Sequence, residues 1–300
     1  MVYYFDMHRT RVFGPMFRKS GVIHRDLYRG FLMMYAISSP GLHRLPSAFF
    51  YPKPKFMKGD DKIIIFDTYA TVKLINWLCE NWPDKRIIFW YWNPINNSQI
   101  REQVPERVEF WSYSKADCEL HGFRHNTQFF FDCLAAKAET CRTRKERNPV
   151  AKALFIGRAK GRDGILSELA NQLKKAGAEV DLRIVQRPKG RFGFFREKLL
   201  PYQSVIDLVV DADILIDYNQ YPDSGLSLRP MEAMFFGKKL ITNNREILSA
   251  DFYSPANIYV LGHDKRTFRE FVDNPGEEVA PEIRDRYLLS NWLRRFDEDV

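Results

Sequence analysis

The sequence predicts an α/β protein of two Rossmann-like domains facing a cleft. Three features of the pattern carry that prediction. Short apolar runs rich in Ile, Val and Phe recur, as buried parallel strands require. Segments with helical periodicity alternate with them across short links. The alternation breaks at a charged stretch and restarts at Ala151, which divides the chain into domains of residues 1–145 and 146–300.

Residues 1–60 are the least regular part. They are rich in Arg, Lys, His and aromatic residues and are broken by Pro40, Pro46, Pro52 and Pro54. One reading is irregular structure wrapped on the first domain. The other is a basic-aromatic surface. There Arg9, Arg11, Arg18 and Lys19 would meet anionic lipid headgroups, with rings at the interface.

From residue 62 the elements follow in order. Lys62–Phe66 is a buried strand, and residues 69–81 are helical through Val72, Ile75, Leu78 and Cys79. Arg86–Tyr91 is the next strand, stopped at Asn93-Pro94 because a residue before proline avoids the helical region. Val108–Trp111 is a strand, Ser114–Leu120 a short helix and Thr127–Phe131 a further strand. Residues 138–149 are charged and end in Pro149, which suits an interdomain linker or a solvated helix face. The second series has strands at Ala151–Ile156, Val180–Val185, Ile214–Asp217, Lys239–Thr242 and Ile258–Leu261. Its helices run from Asp163 as a cap to Ala176, near 202–210, over Leu228–Phe236 up to Gly237, and over 264–273 and 281–296.

Composition narrows the function classes. Net charge is +8 and the pI about 9.2, so an anionic partner is expected. The four cysteines, at 79, 118, 133 and 141, form no CxxC pair and have no histidine at zinc spacing. That argues for a reducing compartment and against a metal site. The start lacks the apolar core of a signal peptide, and Phe31–Ile37 is too short to span a bilayer. The expected location is the cytoplasm, with peripheral contact at the inner face of the cell membrane as the sharper option.

Two segments carry chemistry. In the first, a strand breaks into the glycine-rich basic loop Gly157-Arg-Ala-Lys160-Gly161-Arg162 and then opens a helix. Free N–H groups at the helix start and three cations suit a diphosphate. The spacing is neither a Walker A loop nor GxGxxG, and a solvated basic turn is the bland alternative. In the second, Ser224, Gly225 and Leu226 lead into a helix carrying Glu232. The turn's N–H groups can meet phosphate, and an acid beside a crevice can accept from ribose hydroxyls. An exposed helix acid is the alternative for Glu232.

Weaker candidates lie in the first domain. Trp92 and Asn93, at a strand's carboxyl end, could line an acceptor or sugar cleft, or could simply pack. Asp117 could be a helix cap or a base. His121 and His125 have HxxxH spacing without the neighbouring Glu of a zinc protease.

The paired segments resemble the donor domain of GT-B glycosyltransferases. The resemblance implies that Arg158, Lys160 and Arg162 hold the donor diphosphate, with Gly157, Gly161, Ser224, Gly225 and Leu226 around it, and that Glu232 holds the ribose. Retaining families of this fold carry Glu-x7-Glu, and here Ser224 stands at the first position. A closer likeness covers residues 62–262. The phrases Arg86-Ile-Ile-Phe-Trp-Tyr-Trp-Asn-Pro94, Ser224-Gly-Leu-Ser-Leu-Arg-Pro-Met-Glu232 and Lys238-Lys-Leu-Ile-Thr-Asn-Asn244 look like those of bacterial lipopolysaccharide and capsule (core or O-antigen) glycosyltransferases. This implies hexosyl transfer from a nucleotide-sugar to a growing surface glycan or glycolipid. No metal or other cofactor is expected, and Asp117 or His121 would act as the base if the reaction inverts. The competing functions are a nucleic-acid-binding protein, which lacks any RNA-binding motif, a sugar-nucleotide epimerase of the same fold, and an inactive scaffold paralogue.

Overall fold

The computed structural model describes residues 2–6, 13–26, 41, 44–51, 62–67, 70–95, 98–143, 148–158, 160–185, 200–220 and 225–298. The chain forms two compact units. The first is Met1–Thr127 with Glu298–Val300, and the second is Gln128–Asp297.

The first unit is built on parallel strands Val2–Asp6 (β1), Ile23–Asp26 (β2), Lys62–Phe66 (β3), Arg86–Tyr91 (β4), Val108–Ser112 (β5) and Arg124–His125 (β6). Their order is β2-β1-β3-β4-β5-β6. The helices are Gly14–Lys19 (α1), Ser47–Phe50 (α2), Val72–Asn81 (α3) and Lys115–His121 (α4). Every residue of β3 is buried, as expected for a strand covered on both faces. Thr71 caps α3 by accepting from the Leu74 N–H at 3.2 Å, and Leu74, Ile75 and Leu78 of that helix face the core.

Two sequence expectations change here. Residues 1–60 are not wholly irregular, because β1 lies inside the sheet between β2 and β3. Its register (Tyr3 opposite Ile63) is a non-local pairing that no local periodicity announces. Thr127–Phe131 is not a strand. Phe130 makes one parallel bridge to Leu288, and its ring stacks on Phe235 at 4.0 Å. The phenylalanines are buried without a ladder, so an apolar run alone misreports the backbone.

The second unit has parallel strands Lys152–Arg158 (β7), Glu179–Val185 (β8), Ile214–Asp217 (β9), Lys239–Thr242 (β10) and Ile258–Val260 (β11), in the order β11-β10-β9-β7-β8. Its helices are Ala135–Thr143 (α5), Asp163–Lys175 (α6), Tyr202–Asp211 (α7), Leu228–Phe236 (α8), Phe268–Asp273 (α9), Pro281–Arg286 (α10) and Leu289–Arg295 (α11). One sheet face packs Ala153, Phe155, Ile214, Ile216 and Ile241 against Leu166, Leu169 and Leu173 of α6 and Phe271 of α9. Asp163 is the first residue of α6 rather than its cap; Arg162 holds the cap position and makes no side-chain cap bond.

The units divide at Thr127/Gln128, earlier than the 138–149 stretch read as a linker. Residues 135–143 form α5 and belong to the second unit. Ala138 is fully buried, Arg142 donates to the Phe235 carbonyl at 2.9 Å, and Lys137 pairs with Asp207 at 2.5 Å. Of the charges in this helix, Glu139 is exposed and Arg142 is turned inward.

Chain order fixes where a ligand can sit in the second sheet. From β7 the chain goes to β8 on one side and then returns to β9 on the other. The crevice outside the carboxyl ends of β7 and β9 is therefore the topological switch point.

Candidate functional site

The basic loop stands at that switch point. After β7 the backbone turns through Lys160 (φ 46°) and Gly161 (φ 76°) before Arg162 (φ −99°, ψ 3°) opens α6. A left-handed residue followed by a right-handed one aims successive N–H groups into a concavity that suits an anion. The thirteen-residue α6 begins at the same place, and its free amides add positive potential.

The three cations differ in their surroundings. Arg162 turns inward. It donates to the Tyr218 carbonyl and, at 2.5 Å, to the Arg158 carbonyl, and its guanidinium lies 5.4 Å from the Phe155 ring. Lys160 is exposed, yet crowding around its ammonium and the charges of Arg162 and Arg158 lower its pKa. Among the described residues no acid pairs with Lys160. Gly157 lies close under Phe155: a Cβ there would come within 3.3 Å of the ring.

Facing the loop, β9 ends in the buried Asp217. Its Oδ1 accepts from the Ser227 hydroxyl at 3.0 Å and its Oδ2 from Asn219 at 3.1 Å. Ser227 also caps α8, accepting from the Arg229 N–H at 3.1 Å. Arg229 reaches back across the site, pairing with Glu232 and donating to the Ile156 carbonyl at 3.3 Å. The other Glu232 oxygen accepts from the Tyr202 hydroxyl at 2.8 Å. Burial raises the pKa of both Asp217 and Glu232, and the Arg229 charge opposes that shift in each case.

This arrangement corrects two expectations. Glu232 is only 2% exposed and both its oxygens have internal partners, so it anchors α8 to α7 instead of offering an open acceptor to ribose. The Gly225 N–H, expected to meet phosphate, donates to Glu246 at 3.0 Å, and the Gly225 carbonyl accepts from Asn244 at 2.6 Å. Leu226 is half-buried beside it, and Ser224 lies outside the described residues. Asp217 and Arg229 were missed by sequence reading. An Asp at a strand's carboxyl end was the available signal for the first; the partners of Arg229 are set only by the fold.

In the first unit the candidates divide. Trp92 packs on Phe66 and Phe13, with ring centroids 4.7 and 5.3 Å away, so packing accounts for it. Asn93 is exposed and bound to Asp67, a residue the sequence reading passed over. The Asp67 carboxylate accepts from the Trp92 N–H at 3.2 Å and from the Asn93 N–H and Nδ2 at 3.3 and 3.1 Å. Asp117 stands in the first turn of α4, where its N–H donates to Ser114 at 3.2 Å. One of its carboxylate oxygens is buried with no hydrogen-bond partner. His121 is in the last turn of that helix, four residues on and so on the same helix face as Asp117. It lines a cavity of about 820 Å³ with Arg101, Glu109, Phe123 and Arg124. Arg18 and Lys19 are exposed at the end of α1, while Arg9 and Arg11 lie outside the described residues.

Among the described residues no group of three or more His, Cys, Asp or Glu is placed to hold a metal ion, and no helix is long and apolar enough to cross a membrane.

No protein-family model and no curated protein sequence matches the chain. The solved structures to which the chain is similar include these two. The N-terminal domain of trehalose-6-phosphate phosphatase from Candida albicans aligns with a TM-score of 0.53 at 10% identity, over 99% of this chain and 95% of that one. The catalytic domain of starch synthase IV from Arabidopsis thaliana, bound to ADP and acarbose, aligns with a TM-score of 0.42 at 11% identity, over 80% of this chain and 66% of that one. At such identities the first likeness shows the fold alone, and the second is below the level at which a shared fold follows. What stands is an α/β protein with two parallel sheets.

Proposed function

We propose that the chain is a nucleotide-sugar-dependent glycosyltransferase of the GT-B type and that its second unit binds the donor diphosphate. One observation carries this reading: the Gly161–Arg162 concavity, with Lys160 and Arg158 beside it, opens at the switch point of a parallel sheet. In transfer, the bond from the anomeric carbon to the diphosphate oxygen breaks and a bond to an acceptor hydroxyl oxygen forms. Charge grows on the departing diphosphate. Preorganised amides and the Lys160 and Arg158 charges stabilise it. The hydroxyl proton goes to a base. If the reaction inverts, Asp117 or His121 of the first unit would be that base. The surface-glycan acceptor and peripheral contact with an anionic membrane rest on the sequence resemblance and on the exposed Arg18 and Lys19.

A thermal-shift panel of UDP-, GDP-, dTDP- and CMP-sugars tests the reading, with RNA as the rival ligand. A diphosphate donor at 100 times its Kd stabilises by about 2.7 kcal/mol. Arg158→Ala should cancel most of that shift, since a charge-assisted contact contributes about 1.5–3 kcal/mol. A protein stabilised by RNA and by none of the sugar nucleotides refutes the proposal.

A further inference from the structure

The segment that follows β10 grips both ends of the connection leaving β9. At the first end, the Asn219 N–H donates to Asn243 Oδ1 at 2.7 Å, and Asn243 Nδ2 donates back to the Asn219 carbonyl at 2.9 Å. At the far end, the Gly225 N–H donates to Glu246 at 3.0 Å, and Asn244 Nδ2 donates to the Gly225 carbonyl at 2.6 Å. Each end thus has both peptide groups satisfied by side chains, as a neighbouring strand would satisfy them. Asn244 also caps the 3-10 turn Arg245–Ser249 by accepting from the Glu246 N–H at 2.9 Å, which fixes the side chain that holds Gly225. From the other side, Arg162 of the basic loop donates to the carbonyl of Tyr218, directly before Asn219.

Three side chains on one short segment thus hold the two described ends of this connection. We propose that Asn243 and Glu246 are positioning residues of the sugar-nucleotide site. They fix Tyr218–Asn219 and Gly225–Ser227 beside the basic loop, for the part of the ligand other than its diphosphate. The backbone amides of Gly225 and Asn219 are consumed in the clamp, so these residues contribute shape and not phosphate contacts. A ligand meeting a preset wall avoids the cost of ordering it. This inference rests on the glycosyltransferase reading.

The test compares two ligands on the full chain: inorganic pyrophosphate, and the sugar nucleotide that gives the largest thermal shift. Asn243 and Glu246 are half-buried, so Asn243→Ala and Glu246→Ala should fold. Both should weaken sugar-nucleotide binding about tenfold and change pyrophosphate binding less than about twofold. Glu246→Gln, whose amide oxygen still accepts from the Gly225 N–H, should stay near wild type. Hydrogen exchange at the Gly225 and Asn219 amides supplies a readout independent of ligand: protection should fall at Gly225 in Glu246→Ala and at Asn219 in Asn243→Ala. Equal losses for both ligands, or no loss for either, overturn the assignment and leave the glycosyltransferase reading standing. Wild type that binds no sugar nucleotide overturns both.

Discussion

The carboxyl ends of the two sheets solve opposite electrostatic problems. At the first, the chain's own N–H groups answer Asp67, which accepts from Trp92 and Asn93, while one oxygen of Asp117 is buried without a hydrogen-bond partner. At the second, cations dominate and are answered unevenly. Arg229 is locked between buried carboxylates and Arg162 is turned onto backbone carbonyls, while among the described residues no acid pairs with Lys160. The same topological feature therefore carries acids in one unit and a cluster of cations in the other. That contrast, more than the net charge of +8, motivates the proposal that the second unit binds an anion.

The contrast breaks most visibly at Arg229. Removing one member of a buried ion pair leaves the other charge uncompensated, at a cost of about 3–5 kcal/mol. Arg229→Ala should cost that much in chemical denaturation, because it strands Glu232 and exposes Asp217 to the same loss. Asn93→Ala at the first sheet removes exposed hydrogen bonds and should cost about 1 kcal/mol or less. If the two variants are equally stable, Arg229 is not the internal counter-ion described.

Acid titration separates the units by sign. In the first unit, burial pushes the Glu109 carboxyl up, but hydrogen bonds from Arg86 and Trp111 and the charges of Arg86 and Arg124 together hold it below the usual range. A lowered folded pKa means stability that is present above the unfolded value and lost as pH falls through the folded one. Asp217 is raised by burial, so its contribution is present below the unfolded value and lost as pH rises through the folded one. Glu109→Gln should therefore destabilise more near neutral pH than at about pH 3, by about 1–2 kcal/mol at its largest. Asp217→Asn should destabilise less near neutral pH than in acid. Slopes of the same sign would show that the two acids are not in opposed environments.

How much of this was legible depends on whether the cause was local. Leu228–Phe236 and its stop at Gly237 were read to the residue, since a serine cap, an apolar face and a left-handed glycine all act within the helix. β3, β4, β9 and β10 followed from apolar runs between turn residues for the same reason. β1 was not legible, because its place depends on pairing with residues about sixty positions away. At the site, the glycine-rich basic loop was visible as a strand breaking into a helix. The burial of Glu232 was not, because its partners Tyr202 and Arg229 become partners only when α7 and α8 pack. An acid on a helix looks the same in sequence whether it faces solvent or a tyrosine.

The finest test of the contrast is a matched pair of glycines. Gly161 (φ 76°) shapes the basic loop and Gly122 (φ 63°) ends α4, so an alanine at either must adopt the left-handed region at roughly 1–2 kcal/mol. Space does not distinguish them: a Cβ at Gly161 meets nothing within 4 Å, and one at Gly122 meets Arg101 at an ordinary 3.5 Å. The backbone penalty is thus about equal, but what it disturbs differs. At Gly122 the relaxed turn moves a helix end with no anion to hold. At Gly161 it rotates the amides that form the concavity before Arg162. Gly161→Ala should therefore weaken pyrophosphate binding about tenfold, or about 1.4 kcal/mol, while Gly122→Ala should lose a similar amount of stability and keep its affinity. Isothermal titration alongside thermal melts reads both quantities. If Gly122→Ala loses affinity in step with Gly161→Ala, the loss reflects general destabilisation, and the anion site does not depend on the loop's backbone.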